Sequence, residues 1–243
     1  MKRGLFVTGF LSFCILAGAL TGAWLYSRTR ADPPGAVLLL GFSHSAPAPP
    51  DPTALRAVWV AIPQPDWGRV HMVGLPPEVW IPSHNARLCD LAQSGDERQL
   101  TDAVAGLLGD VDRFAGVIAF APESLGDLVD LAGGFVVLGS VEQDAPGLVG
   151  YLNHAANWLD SLTAQKRVMT SALAVLADAP LSPHDVAAWF GRHARSNLPE
   201  ETLVAFWDGL CRGMVSLSLF PADRLQPFVT PDGKPAYRLL PPK

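Results

Sequence analysis

The chain has 243 residues, of which 49% are apolar, and a formal net charge of −5 with a pI near 5.6. This length and composition provide for one substantial hydrophobic core, and they exclude an intrinsically disordered chain. The acidic balance offers no basic face for a polyanion, so we expect no nucleic-acid partner.

The amino-terminal segment from Gly4 to Tyr26 carries no charged residue. As a helix at roughly 1.5 Å per residue it would be about 35 Å long, enough to cross a bilayer. We predict an uncleaved anchor, because the apolar region of a cleaved signal peptide is usually shorter and a buried core helix is rarely apolar on every side. Lys2, Arg3 and the free amino terminus favour an inside amino terminus. The predicted organisation is a cytoplasmic tip at 1–3, an anchor at 4–26, a neck at 27–35 and an extracytoplasmic domain at 36–243.

Strand and helix patterns alternate along this domain. Apolar runs predict strands at Val37 to Leu40, Leu55 to Ile62 and Arg69 to Leu75, with a turn from Pro63 to Gly68 joining the last two. The elements predicted after them are a helix at Glu97 to Leu108, a strand at Gly116 to Phe120, a helix at Glu123 to Leu131, a strand at Phe135 to Leu138, helices at Leu162 to Leu176, Ser182 to Ala194 and Pro199 to Arg212, and closing strands at Met214 to Phe220 and Ala236 to Leu240. This order predicts an α/β fold, a mixed sheet flanked by helices on both faces.

The cysteines leave two alternatives open. Cys14 lies in the predicted anchor, and Cys89 and Cys211 lie in the domain. Outside the cell these two could form a disulfide. They could equally be separate buried thiols that pack as small apolar side chains.

Other chemical patterns in the chain are weak. The segment from Gly41 to Ser45 is similar to the G-x-S-x-G turn of serine hydrolases, but it lacks the second glycine and the following helix. The six histidines show no metal-type spacing, so we interpret them as ordinary surface or loop residues. We interpret Arg192 and Arg195 as solvated charges at a helix end.

Six short motifs follow one another along the domain. They are Val37-Leu38-Leu39-Leu40-Gly41, Val60-Ala61-Ile62, Leu75-Pro76-Pro77-Glu78, His84-Asn85-Ala86-Arg87-Leu88, Leu107-Leu108-Gly109 and Val129-Asp130-Leu131-Ala132-Gly133-Gly134-Phe135. In this order they resemble the LytR-CpsA-Psr family of envelope proteins, whose domain is also called a cell envelope-related transcriptional attenuator. The chain resembles a divergent member of that family.

The resemblance implies a single-pass membrane protein that transfers a glycopolymer from a polyprenyl-pyrophosphate carrier to the cell wall, with the lipid in an apolar tunnel. Such a transfer needs cationic clamps and a divalent ion to neutralise the pyrophosphate. At the matching positions Ser43 and Leu55 replace acids, Pro77 and Thr163 replace arginines, and Lys166 replaces a further arginine. We therefore expect no cofactor and weak or no binding of the magnesium that the family uses.

The charged and aromatic residues that remain in these motifs define the candidate site. The candidate catalytic residues are Glu78, Arg56 and Lys166, and the candidate ligand-binding residues are Asn85, Arg87 and Trp80. The leading hypothesis is an envelope protein with lost or weakened transfer activity that still binds a polyprenyl lipid or a cell-wall glycopolymer. The alternatives are an active phosphotransferase with relocated cationic groups and a non-catalytic structural or interaction module.

Overall fold

The computed structural model describes residues 34–42, 55–64, 67–120, 124, 127, 129–130, 134, 136–155, 157–177, 182–212 and 214–240. The predicted anchor at 4–26 lies outside these residues, as do the predicted tip at 1–3 and most of the neck, and they stay predictions. Within the described ranges, no helix combines the length and the apolar character that a membrane crossing requires.

The described residues form twelve strands and six α-helices. In chain order they are β1 (Ala36–Phe42), β2 (Leu55–Pro63), β3 (Arg69–Leu75), β4 (Trp80–Ile81), β5 (Ala86–Arg87), α1 (Leu88–Ser94), α2 (Glu97–Leu108), β6 (Phe114–Phe120), β7 (Val136–Leu138), β8 (Val141–Gln143), α3 (Ala145–Asn153), α4 (Trp158–Leu176), α5 (Pro183–His193), β9 (Ala194–Ser196), α6 (Glu200–Arg212), β10 (Met214–Leu219), β11 (Leu225–Val229) and β12 (Pro235–Leu239). Two short 3-10 helices lie at Pro82–His84 and Ala222–Arg224.

Six strands form the central sheet, in the order β10-β3-β2-β1-β6-β9. Strand β2 is antiparallel to both of its neighbours, β1 and β3. Strands β6 and β10 run parallel to β1 and β3, and β9 is antiparallel to β6. The sheet is therefore mixed, as predicted. The pairs β4-β5, β7-β8 and β11-β12 form separate two-stranded ribbons.

Helices cover both faces of the central sheet, because alternate residues of its inner strands are apolar on each side. On one face, α1 and α2 pack on the strands through a cluster that includes Leu38, Leu40, Val58, Val60, Leu100 and Val104. On the other face, α4, α5 and α6 pack through a cluster that includes Val37, Leu39, Trp59, Leu162, Phe190 and Phe206. The predicted three-layer arrangement is confirmed.

Local capping signals set most of the helix bounds. Helix α2 has the predicted bounds, since Asp96 caps its start and Gly109, at a φ of 73°, ends it. Helix α4 begins at Trp158, four residues before the predicted start, because Asn157 accepts a hydrogen bond from the amide of Asp160. Of the helix predicted at Glu123 to Leu131, only residues 124, 127, 129 and 130 are described, and all four are helical.

The two domain cysteines lie on opposite faces of the sheet. Cys89 belongs to the cluster under α1 and α2, and Cys211 packs against the cluster of the other face. Both are free thiols, so the disulfide alternative is wrong and the alternative of two separate thiols is confirmed. Burial raises the pKa of each thiol to about 11, which keeps both protonated at neutral pH. Cys14 lies outside the described residues.

Candidate functional site

The ends of the motif-bearing strands lie side by side at one edge of the central sheet, the edge formed by strand ends and not by an outer strand. Strands β1, β3, β6 and β10 end there, and β2 begins there, as the pairing of Phe42 with Leu55 and of Val58 with Leu75 shows. We call it the motif edge. Arg56 precedes Val58 along β2 and Glu78 follows Leu75, so the sheet register carries both candidate residues to this edge.

A buried glutamine joins the start of β2 to helix α4. The Gln165 amide nitrogen donates to the carbonyl oxygen of Arg56 at 3.0 Å and to the hydroxyl of Ser161 at 3.1 Å. Its amide oxygen accepts a hydrogen bond from the indole nitrogen of Trp59 at 2.8 Å. This network fixes the helical turn of α4 that carries Lys166 beside the motif edge. Sequence reasoning missed Gln165, since a glutamine within a helix is typical of an exposed surface.

The cations at this edge are accessible. The Arg56 side chain is exposed and that of Lys166 is half-buried. Neither is in an ion pair with a residue that the structure describes. Among the described residues, no carboxylate therefore compensates either charge.

Glu78 lies against β12 and the start of α4. Its carbonyl oxygen accepts a hydrogen bond from the amide of Tyr237 at 3.1 Å, and the Tyr237 ring packs edge-on against Trp158 with centroids 5.6 Å apart. Burial, with a smaller contribution from the Glu78 charge, raises the pKa of Tyr237. The Glu78 oxygen Oε2 is buried and has no hydrogen-bond partner among the described residues. The structure thus adds Tyr237 and Trp158 to the site, and neither was a sequence-based candidate.

Arg87 is held in an ion pair. Its guanidinium makes two bonds to the Asp90 carboxylate, from Nε at 2.9 Å and from Nη2 at 2.8 Å. Lys234 lies 3.8 Å from the same carboxylate. The hydrogen bonds from Arg87 lower the pKa of Asp90, so the pair is charged at neutral pH. Arg87 therefore stabilises the fold. Because its charge is paired with Asp90, Arg87 is not counted among the cations that could bind an anionic ligand.

Trp80 and Asn85 also have local structural contacts. The Trp80 ring packs edge-on against Phe228 of β11 with centroids 5.7 Å apart. Asn85 is exposed and ends the 3-10 helix in a left-handed conformation at a φ of 50°. Trp80 and Arg87, whose Nη1 donates to the Pro235 carbonyl at 3.4 Å, dock the β4-β5 ribbon on the β11-β12 ribbon, whereas Asn85 contributes only to the turn.

A shallow cleft lies between the α1-α2 turn and the central sheet. Its apolar floor includes Leu40, Leu100 and Ala119, and Arg195 and Glu97 also line it. Arg195 lies in β9, paired with Ala119, and this corrects its interpretation as a helix-end charge. The cleft encloses about 10 Å³, which is space for about one water molecule. It is far too small for an isoprenoid chain.

The described residues contain no group of three His, Cys, Asp or Glu side chains arranged to hold a metal ion. Ser43 and His44 lie outside them. The expectation of weak or no magnesium binding stays a prediction.

Comparison with known proteins identifies the fold. No protein-family model and no curated protein sequence matches the chain. Bacillus subtilis TagV is structurally similar over 85% of this chain and 91% of its own, with a TM-score of 0.66 and 10% identity. For B. subtilis TagT the TM-score is 0.62 over 86% of each chain at 13% identity, and TagT has also been solved bound to LI-WTA. For gbs0355 from Streptococcus agalactiae the TM-score is 0.65 at 15% identity, over 85% of this chain and 82% of that one. The chain therefore has the fold of LytR-CpsA-Psr proteins such as TagV and TagT, as its motifs predicted, in a sequence far diverged from theirs.

Proposed function

We propose that this chain is a membrane-anchored envelope protein that binds the anionic end of a polyprenyl-linked glycopolymer at the motif edge, with lost or weakened transfer activity. One observation carries the proposal. The fold brings Arg56, Glu78 and the α4 turn of Lys166 to the motif edge, whereas most of the charges that the family places there are replaced in this sequence. The TagT complex with LI-WTA supports a glycopolymer as the ligand class.

The charges at the motif edge are better suited to binding than to transfer. Preorganised charge around the reacting group is usually the largest contribution to such catalysis. Lys166 is a single point charge that cannot reproduce the two parallel hydrogen bonds of a guanidinium. Leu55, at a matched acid position, is only 4% exposed and belongs to the hydrophobic core. A carboxylate at that position would be buried in apolar surroundings.

The size of the cleft beside the α1-α2 turn limits which part of the lipid-linked polymer could bind in it. Because it has space for only about one water molecule, it cannot take up a prenyl chain without a rearrangement of the packed helices. The part of the carrier that we assign to the motif edge is the phosphate group with the first sugars of the polymer, because the exposed cation Arg56 and the half-buried cation Lys166 lie there. The prenyl chain stays in the membrane or reaches the protein elsewhere.

The test is binding and transfer with the full chain in lipid nanodiscs. A fluorescent polyprenyl-pyrophosphate glycopolymer should bind, and Arg56→Ala and Lys166→Ala should each weaken its binding about 5- to 10-fold, because each removes one charge-assisted contact. Arg212→Ala is the matched control, since Arg212 is exposed and pairs with Asp208 on the same helix. Its binding should equal that of the parent chain.

The same preparation separates the alternatives. Transfer of the polymer to peptidoglycan by the unmodified chain would favour the active phosphotransferase. Absence of binding in every variant would contradict the proposal and favour a structural or interaction module. Thr163→Arg together with Lys166→Arg restores two guanidinium groups on the half-buried part of α4, and it should strengthen binding of the pyrophosphate.

A further inference from the structure

The two outer strands of the central sheet differ in how they are protected. Strand β9, at one side, has three residues and carries Arg195, and short length and charge are common ways to prevent pairing with another chain. Strand β10, at the other side, has six residues with the sequence MVSLSL. It contains no charge and no proline, and it combines high β-propensity with low net charge. It is an open edge of the kind that pairs with a further strand.

The hydrogen-bond register shows which groups of β10 point outward. The amide of Met214 donates to Gly68 at 3.1 Å, and the amide of Phe220 donates to Gly74 at 2.9 Å. In a parallel pair, every second residue bonds to the neighbouring strand, so the even-numbered residues from Met214 to Phe220 bond to β3. The N–H and C=O groups of Val215, Leu217 and Leu219 therefore point away from the sheet. Within the part of the chain that the structure describes, no strand pairs with that side of β10.

The side chains of β10 are left partly open along this edge. Met214 is 62% exposed, and Ser216 is exposed beside His71, whose Nδ1 lies 2.8 Å from the Ser216 hydroxyl oxygen. Leu217 packs against the core under α6 and yet is only half-buried. A further strand laid along β10 would cover the remaining apolar surface of this residue.

We propose that β10 is a dimer interface, in which two copies of this chain pair their β10 strands antiparallel about a two-fold axis at Leu217. Centred there, Leu217 exchanges both hydrogen bonds with its copy, and Val215 does the same with Leu219 of the other copy. The pairing is self-complementary and closes at two copies, as a two-fold interface must. The two sheets become one sheet of twelve strands.

Charge is the reason to assign a second copy rather than another partner. The paired strands carry no charged residue, so no like charges meet along them. In the antiparallel pairing, the start of β10 in one copy lies beside the end of β10 in the other copy. Arg212 precedes the start of the strand, and Asp223 follows its end. Both residues are exposed and their charges are opposite, and because Arg212 pairs with Asp208 on its own helix at 3.0 Å, that end of the strand presents no net charge that would repel Asp223. The nearby Arg224 does not oppose this, because its guanidinium stacks over Phe220 at 5.7 Å within its own chain.

Two variants of one residue test the pairing. Leu217→Pro removes the outward N–H, and an edge strand tolerates proline where that group faces away from its neighbour. Leu217→Ala removes a similar amount of packing but keeps the N–H, so it is the matched control. We expect the unmodified chain and Leu217→Ala to be dimers by analytical ultracentrifugation in mild detergent. Because each proline removes one of the two hydrogen bonds at the axis, Leu217→Pro should raise the dimer dissociation constant about 30-fold.

Hydrogen exchange provides the second measurement on the full chain. Amide protection of the 214–220 peptide should rise with protein concentration in the unmodified chain and in Leu217→Ala, and should stay low in Leu217→Pro. A chain that is monomeric at every concentration would overturn the proposal. Concentration-independent protection would also overturn it, since the edge would then be covered by the same chain. Equal dimerisation of both variants would place the interface elsewhere.

Discussion

The buried amide of Gln165 gives the sharpest test of how the motif edge is held together. Gln165 is 9% exposed and bonds to Trp59, Arg56 and Ser161. Replacement by leucine keeps a side chain of similar size in helix α4 but removes all three hydrogen bonds. The change therefore separates the polar network from the packing around it.

The size of the effect depends mainly on Trp59. Its ring is 2% exposed, so its indole N–H would be left without a partner and without water. An unsatisfied buried donor costs about 1 to 3 kcal/mol. The hydrogen bond to the Arg56 carbonyl is only part-buried, so its loss adds less than that of the Trp59 bond. We expect Gln165→Leu to lower the free energy of unfolding by about 2 to 3 kcal/mol, which corresponds to roughly 4 to 12 °C in Tm for a domain of this size.

The assay is urea denaturation followed by circular dichroism, combined with a double-mutant cycle. Trp59→Phe removes the donor, so the double variant with Gln165→Leu should be about 1 to 2 kcal/mol more stable than the sum of the single effects predicts. Thr163→Ala, a half-buried position nearby on α4, is the control for unrelated effects of substitution in this helix. A loss below about 0.5 kcal/mol for Gln165→Leu would refute the network as the link between α4 and β2.

Two further predictions concern stability. Asp90→Asn should destabilise the fold by about 1 to 3 kcal/mol at neutral pH, because it breaks the two charge-assisted bonds to Arg87. Since the pKa of Asp90 is lowered in the folded state, this stabilisation is present above the unfolded pKa of 3.8 and is lost as pH falls through the lower folded pKa. The free energies of unfolding of the unmodified chain and of Asp90→Asn should therefore differ at pH 7 and approach each other below pH 4, as measured by denaturation at both pH values. Gly116→Ala should cost about 1 to 3 kcal/mol by thermal denaturation, because the new Cβ would overlap the Asn197 side-chain oxygen, which accepts a hydrogen bond from the Val117 amide, and would lie 2.8 Å from Leu198 Cδ2. Gly106→Ala is the control, as its site in α2 is open, and a stabilisation by about 0.5 to 1 kcal/mol is expected there; equal losses at the two glycines would contradict the steric argument.

Local sequence patterns predicted the elements of the central sheet better than their pairing. The β2-β3 hairpin follows from two apolar runs and a turn rich in proline and glycine, and its bounds were close to those observed. The two predicted closing strands exist, but they belong to different sheets. Strand β11, the partner of β12, was missed because Pro227 argues against a strand. A strand's partner is set by long-range packing, which no local pattern records.

The candidate site was predictable only where its residues lie on strands that local sequence patterns identify. Arg56 lies at the start of β2 and Glu78 follows the end of β3, and these two strand ends lie together in the hairpin, so their shared edge follows once the hairpin is known. The pairing of Arg87 with Asp90 was visible as an acid three residues after a base, and it shows that a cation in a family motif can serve the fold. The contacts of Gln165 and Tyr237 join segments more than 100 residues apart and depend on the complete fold.

The parallel pairing of β3 with β10 has a consequence for folding kinetics. His71 and Ser216, which face each other across these strands, are separated by 145 residues in sequence. Contacts of such separation close a long loop at high entropic cost and slow the crossing of the folding barrier. During synthesis β3 must therefore remain an incomplete edge until almost the whole chain has emerged, and a chain truncated before Met214 would expose β3 permanently to aggregation.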